Sequence, residues 1–459
     1  MSDQRPTDDI ATLKGMLTSK DGRKLKNVAE IGSGGQGRVF SVTSEGENSL
    51  ALKWYHPPKP EGRASYEDQR LALEELIHIE PPDPRFLWPL DMVYHQGQYG
   101  YLMRLRPPEY KSIEDIILGL AKFDRCGPYR ALTAAGMNLA SCFGKLHREG
   151  YCYKDINFGG PFVRPDTGDV LICDNDNVRA NRKTKSVVFY PAFAAPEVNR
   201  GEAICTTATD AHSLAVLLFY LFMRGHPLEG RREIAVVVFE ANAKMRTFGT
   251  DPLFVFDPRD TSNRPVSGIQ NHVIANWGRL PAFAQKVFEE SFTEGLKNPD
   301  ARPLDDRWQR LMSRLRDSLH RCRRCGLDSF VDLAAVRSRG ETQTPCGFCG
   351  TMAVVPPRVV FADAEVCISD GCNIYPHHLG RAQDSPVPIA TFSRHETKHE
   401  LIGLKNLTAN PFHFVDPDGT SREVPPGRSV SVVEGRQVNF GFGTGTMHWA
   451  APATGWAPS

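Results

Sequence analysis

Four cysteines carry the most specific chemical signature in the chain. C-R-R-C at 322–325 and C-G-F-C at 346–349 are two C-x-x-C pairs about twenty residues apart. Two such turns can place four thiolates around one tetrahedral Zn, and the glycine after each pair, Gly326 and Gly350, relaxes the turn. Cys322, Cys325, Cys346 and Cys349 are therefore expected to hold a structural Zn rather than to act as redox pairs. A second set of residues is spread over the first two hundred. I-G-S-G-G-Q-G-R-V puts Gly32, Gly34 and Gly37 in G-x-G-x-x-G-x-V spacing, and glycines there let backbone amides close on phosphate oxygens. A dinucleotide fold would need a helix directly after them, whereas R-V-F-S-V reads as a strand. Lys53 stands inside the next strand, A-L-K-W-Y, between apolar neighbours. Asp155 follows a long helical stretch by a short turn, where a carboxylate can orient a hydroxyl and accept its proton. Asp174 closes the apolar run V-L-I-C, where it could hold a divalent cation between phosphates. Taken singly, each Asp is also an ordinary turn or cap residue; their order after the glycine loop and Lys53 is what points to phosphate chemistry.

The elements that must position these groups follow from periodicity. Short β-like runs, VAEI, GRVFSV and SLALKWY, are punctuated by glycine. A helix is expected over SYEDQRLALEELIHI, with Leu71, Leu73, Leu76, Ile77 and Ile79 near a helical period and Pro81, Pro82 and Pro84 ending it. FLWPLDMVYHQGQYGYLMRL reads as two strands around a turn. RALTAAGMNLASCFGKLHREG is an amphipathic helix ending at Gly150, Leu214 to Met223 a buried one, and AFAQKVFEESFTEGL and LDDRWQRLMSRLRDSL two more. Residues 1–25 form a polar extension, a flexible arm or an extra strand. From 354 onward Val, Phe and Pro with frequent turns, at ANP, DPDG, PPG and EG, predict an all-β tail of about 100 residues.

The 459 residues suggest two to four domains, and 41% apolar with 24% charged residues describes a globular chain. A net charge of +1 removes any bulk attraction to nucleic acid or membrane. The N-terminus has no apolar run like a signal peptide, and the longest apolar stretch is far short of a membrane span. Eleven cysteines, seven of them scattered, fit a reduced cytoplasm with a metal site. Arg314, Arg316, Arg321, Arg323 and Arg324 form a basic run without interleaved aromatics, which favours a solvated face or an intramolecular contact over nucleic acid. His377, His378, His395 and His399 invite a metal reading, but exposed strand and loop histidines are the preferred one.

Over roughly residues 26–318 the motif order resembles that of eukaryotic-type protein kinases. Tyr153-Lys154-Asp155 resembles the His/Tyr-Arg-Asp loop, Asp174-Asn175-Asp176 resembles Asp-Phe-Gly, and Ala195-Pro196-Glu197 resembles Ala-Pro-Glu. Asp210 resembles the Asp that opens the central helix beneath the catalytic loop, and Arg302 the Arg that pairs with Glu197. The resemblance implies an α+β chain: a two-lobed protein-kinase fold (26–318) after an N-terminal extension (1–25), followed by a zinc ribbon (319–353) and a small all-β sandwich (354–459). It implies an ATP- and Mg- (or Mn-) dependent transfer of the γ-phosphoryl group to a protein hydroxyl, Ser or Thr. Gly32, Gly34, Gly37, Val39, Ala51 and Met103 would line the nucleotide site and Lys53 reach its α- and β-phosphates. Glu75 would hold Lys53, because Ile79 one turn on would then face the core, with Glu74 the alternative. Asp174 would hold Mg and Asp155 act as base.

Three positions depart from the pattern. Lys154 replaces Arg, which weakens a bidentate grip on a loop phosphate. Gly160 stands where the family has a metal-binding Asn, leaving Asn157 and Asp176 as nearby polar substitutes, and Asn175 replaces Phe. These put a second metal in question and keep open an alternative, a nucleotide-binding pseudokinase scaffold. FLWPLD, ICDNDNV and the C-terminal zinc module are similar to bacterial kinases of the tellurium-resistance-associated phosphorylation triad, which implies a PPM-type phosphatase and a von Willebrand A-domain protein as partners. In the tail, KNLT and PPGRSVSVVEGRQVNFG resemble the closing strands of a forkhead-associated domain. Gly380-Arg381 and Ser393-Arg394 would be its phosphate-binding residues, but they lie close to the closing strands, which favours a structural or protein-binding sandwich.

Overall fold

Strand alternation decides where Lys53 points. In a computed structural model the described residues are 17–449, without 45–46, 60–61, 124–126, 182–189, 237–239, 382–386, 396 and 398–400. β1 (Lys26–Ser33), β2 (Gly37–Ser44), β3 (Glu47–Tyr55), β4 (Asp91–His95) and β5 (Gln98–Arg104) form an antiparallel sheet in the order β1-β2-β3-β5-β4. Leu50, Leu52 and Trp54 face one apolar cluster with Leu17, Leu25, Phe40 and Val93. Ala51 and Tyr55 face the other, with Leu73, Tyr101, Met103, Leu171 and Cys173. With a period of two, Lys53 belongs to this second face. The N-terminal extension contributes a buried Leu17 and an isolated bridge from Ser19 to Val93; residues 1–16 lie outside the described ones.

α1 (Arg63–Ile77) covers that second face through Leu73 and sends Leu76 into the neighbouring core of the helical body; both are buried, whereas Leu71 is exposed. The helix stops at Ile77, so Ile79 lies beyond it and does not set its phase. The chain then builds a largely helical body. α2 (Tyr129–Arg148) packs against the helix over Asp305–Asp317, and α3 (Thr207–Met223) is buried on nearly every side, which its apolar sequence anticipates. α4 (Asn271–Arg279), α5 (Ala282–Phe292) and α6 (Asp305–Asp317) complete it around one continuous core containing Phe143, Phe219, Phe288 and Trp308. A hairpin of β6 (Pro161–Val163) and β7 (Val170–Ile172) leads into Asp174.

Two short hairpins follow, β8 (Leu319–Arg321) with β9 (Asp328–Phe330) and β10 (Gln343–Pro345) with β11 (Met352–Val354), separated by α7 (Leu333–Ser338). Beyond 357 the chain forms a six-stranded and a four-stranded antiparallel sheet sharing an apolar cluster that includes Phe361, Phe392, Phe412, Phe440 and Met447. The protein is thus a mixed chain of helices and several sheets. No helix among the described residues is long and apolar enough to cross a membrane.

Candidate functional site

Asp155 sits in a loop held from below by α3. Asp210, in the first turn of that helix, accepts the backbone N–H groups of Tyr153 and Lys154. Its Oδ2 also bonds His147 Nε2 at 3.2 Å, and His147 Nδ1 lies 2.7 Å from Asp305. Lys154 itself takes φ 73°, a left-handed conformation that costs a non-glycine residue energy. Asp174 adopts the same region at φ 51°.

The two loops are joined directly. Cys173 N–H donates to the Gly160 carbonyl at 2.8 Å, and Tyr153 Oη donates to the Cys173 carbonyl. Asn157 Nδ2 donates to Asp155 Oδ1 at 2.7 Å, and its Oδ1 accepts the Gly159 N–H. A Cβ on Gly159 would stand 3.2 Å from Asn157 Oδ1 and 3.7 Å from Asp174 Oδ2, so Asn157 and Asp174 border one small space. Burial pushes the Asp155 carboxyl above the usual range; Asp174 and Asp176 push it the same way, against hydrogen bonds from Asn157 and the Tyr190 N–H. At Gly160 a Cβ would meet the Tyr153 hydroxyl at 2.5 Å, so an Asn side chain has no room there.

Lys53 meets these loops from the sheet. Its Nζ lies 3.0 Å from Asp174 Oδ1 and 2.9 Å from Asp176 Oδ2. Burial would lower its pKa, but the two carboxylates outweigh it and hold the ammonium well above its usual range. The expected partner is not there. Glu75 is exposed, and Glu74 is taken by Arg70 and Tyr94. The reason is helix phase. Leu73 and Leu76 set the inward face, and one turn earlier that face carries Gln69, whose Nε2 reaches Asp176 Oδ2 at 3.3 Å. Val39, Ala51 and Met103 do come together beside Lys53: Val39 pairs with Lys53 across the sheet, and all three belong to one apolar group. In the glycine loop, Gly32 and Gly34 have nothing within 4 Å of a would-be Cβ, whereas at Gly37 a Cβ would strike the Trp54 carbonyl at 2.2 Å. Asn175, at the Phe position, is buried and donates from Nδ2 to the carbonyls of Leu87 and Ile172.

No protein-family model matches the chain, and no curated protein does.

The cysteines assemble as expected. Cys322 and Cys349 sulfurs are 3.7 Å apart and Cys325 and Cys346 sulfurs 3.8 Å, with all four within 4.8 Å of one another. Ligands about 2.3 Å from a tetrahedral Zn stand about 3.8 Å apart, so the four fit the ion. Gly326 and Gly350 have φ of 73° and 70° and donate their N–H groups to Cys322 and Cys346, which makes the two turns equivalent. This unit is docked on the helical body. Tyr129 packs with its ring tilted against Phe330 and Phe348, Arg279 covers Phe348, and Arg130 pairs with Asp328. Three residues of the basic run make internal contacts, Arg314 over Phe283, Arg316 over Tyr375 and Arg321 paired with Asp328, while Arg323 and Arg324 are exposed.

The histidines require a correction. His378 is buried, not exposed; His395 is exposed, and His399 lies outside the described residues. Asp317, His377 and His378 cluster where α6 meets the tail. Tyr375 N–H donates to His378 Nδ1 at 3.1 Å, so Nε2 carries the proton and donates to Asp317 Oδ2 at 3.0 Å. A metal at Nε2 would demand an imidazolate, and the trio is a brace between helix and sheet. Arg381 and Arg394 line separate cavities of about 790 and 610 Å³, and Arg394 is paired with Asp370.

Proposed function

We propose that the chain is an ATP- and Mg- (or Mn-) dependent protein kinase, with a two-lobed kinase architecture over 26–318, that phosphorylates a protein hydroxyl of Ser or Thr. The observation that carries this reading is the ion pair of Lys53 with Asp174, whose loop is tied by Gly160 and Tyr153 to the loop bearing Asp155. On this reading Lys53, Asp174 and Asp155, carried on three backbone segments, would serve as the phosphate-binding cation, the metal-binding carboxylate and the base, the minimum set for phosphoryl transfer.

Bound ATP and Mg would supply the transferable phosphoryl group and neutralise its charge. The residues for them are present. The side chain of Asp174 is 45% exposed, which suits a carboxylate that ligates an incoming cation. Lys53 offers a permanently charged ammonium to phosphate oxygens. The open glycine loop offers backbone amides, and Val39, Ala51 and Met103 offer an apolar seat for a base. Asp155, shifted upward by burial and held by Asn157, can orient a hydroxyl and take its proton. The zinc-binding unit and β tail would place substrates or partners, among which a PPM-type phosphatase and a von Willebrand A-domain protein belong to the same reading.

A second reading, nucleotide binding without transfer, is favoured by Gly160, which offers no side chain to a second metal. Titration with Mg·ATP tests what both share: binding should weaken at least about tenfold in Lys53→Ala and in Asp174→Asn. Unchanged affinity in both variants would refute the nucleotide site itself.

A further inference from the structure

We propose that Asp176, not a glutamate of α1, is the positioning residue that fixes Lys53, and that this frees Asp174 for the cation. The inference rests on the phosphoryl-transfer reading above and assigns a duty to a residue outside it.

The two carboxylates flanking Lys53 differ in kind. The Asp176 side chain is 0% exposed, whereas that of Asp174 is 45% exposed. A buried carboxylate must be paired to be tolerated, and Asp176 Oδ2 collects three donors: Lys53 Nζ, the Tyr55 hydroxyl and Gln69 Nε2. They come from β3, β3 again and α1, so the anchor is fixed from two sides. Burial raises the Asp176 carboxyl, and the Lys53 ammonium with the Tyr55 hydroxyl more than reverses this. Asp174 makes a single contact of this type and keeps its outer face open. Helix α1 brings only a neutral amide to the group. An outward displacement of α1 would therefore remove Gln69 and leave the Lys53–Asp176 pair in place, so the lysine does not depend on helix position for its charge partner.

The test uses the full chain, with Mg·ATP as probe and both binding and transfer as readouts. Asp176→Asn should weaken Mg·ATP binding and lower kcat by about 10- to 100-fold, the worth of a charge-assisted hydrogen bond. Glu75→Gln should stay within about twofold of wild type. Moving the charge to the helix, in the double variant Gln69→Glu with Asp176→Asn, should recover most of the loss, which a merely structural role would not allow. Tyr55→Phe keeps the site filled and should weaken binding about 2- to 10-fold, which serves if Asp176→Asn does not fold. Binding within twofold of wild type in the folded Asp176 or Tyr55 variant overturns the proposal, as does an Asp176→Asn loss that Gln69→Glu does not relieve. If the wild-type chain binds Mg·ATP but transfers nothing, the transfer reading fails and the binding readout still judges Asp176. No binding by wild type overturns both.

Discussion

Arg302 and Glu197 meet as a two-pronged pair 105 residues apart in sequence, Nη1 to Oε1 and Nη2 to Oε2, both at 2.8 Å. The Arg302 side chain is wholly buried and also donates to the carbonyls of Gly295 and Ala208. It ties the short helix after Ala195 to the segment that precedes α6, with the start of α3 between them.

Breaking this pair should be costly because the partner left behind is a buried charge. Arg302→Lys keeps the charge but loses the fork, and Glu197→Gln leaves the guanidinium unpaired. Each should lower unfolding stability by about 3–5 kcal/mol, with Glu197→Gln the more severe. Chemical denaturation of the two variants measures it; a change below about 1 kcal/mol in both would show that the pair is not structurally required.

The metal unit should hold more than itself. The purified chain should contain about one Zn, and Cys322→Ser should lower that content. Because Phe330 and Phe348 pack on Tyr129, stripping Zn should loosen the start of α2 as well. Amide exchange near residues 129–136 should quicken in metal-free protein, and the unfolding temperature should fall. Equal exchange there with and without metal would mean that the docking is independent of the ion.

His147 should make stability depend on pH in one direction. Burial alone would lower its pKa, but Asp210 and Asp305 raise it to about 10. A folded-state pKa above the unfolded value of about 6.5 adds stability that is complete below that pH and lost as pH rises through about 10. The stability gap between wild type and His147→Gln, on the order of a few kcal/mol at pH 6, should therefore shrink between pH 6.5 and 10. A gap that does not change with pH would show that the imidazole is neutral in the fold.

Local spacing was readable; tertiary phase was not. The cysteine pairs sit in two self-contained turns, so their spacing and their glycines determine the geometry without help from the rest of the chain. Lys53 was legible because strand alternation is a strict two-residue rule. Ile79 gives the wrong phase for Glu75 because it lies past the helix end at Ile77. Leu73 and Leu76 alone would have pointed to Gln69. Tyr55 and Asp176 had a weaker signal, each two residues beyond a residue already singled out. His378 could not be read as buried, since groups distant in sequence surround it, Asp317 of α6 on one side and the Phe361 ring on another. For the same reason nothing in the spacing of His147 revealed its place between two acids.

Lys53, Asp155 and Asp174 are proposed to form one phosphoryl-transfer site. Incubation of the full chain with γ-labelled ATP and Mg, beside Asp155→Asn, tests it most directly. Label is expected on the wild-type protein or on an added protein substrate, lost at least about 100-fold in the variant while Mg·ATP affinity stays within about threefold. Equal labelling by the Asp155 variant, or no transfer by wild type to itself or to any protein offered, would contradict it.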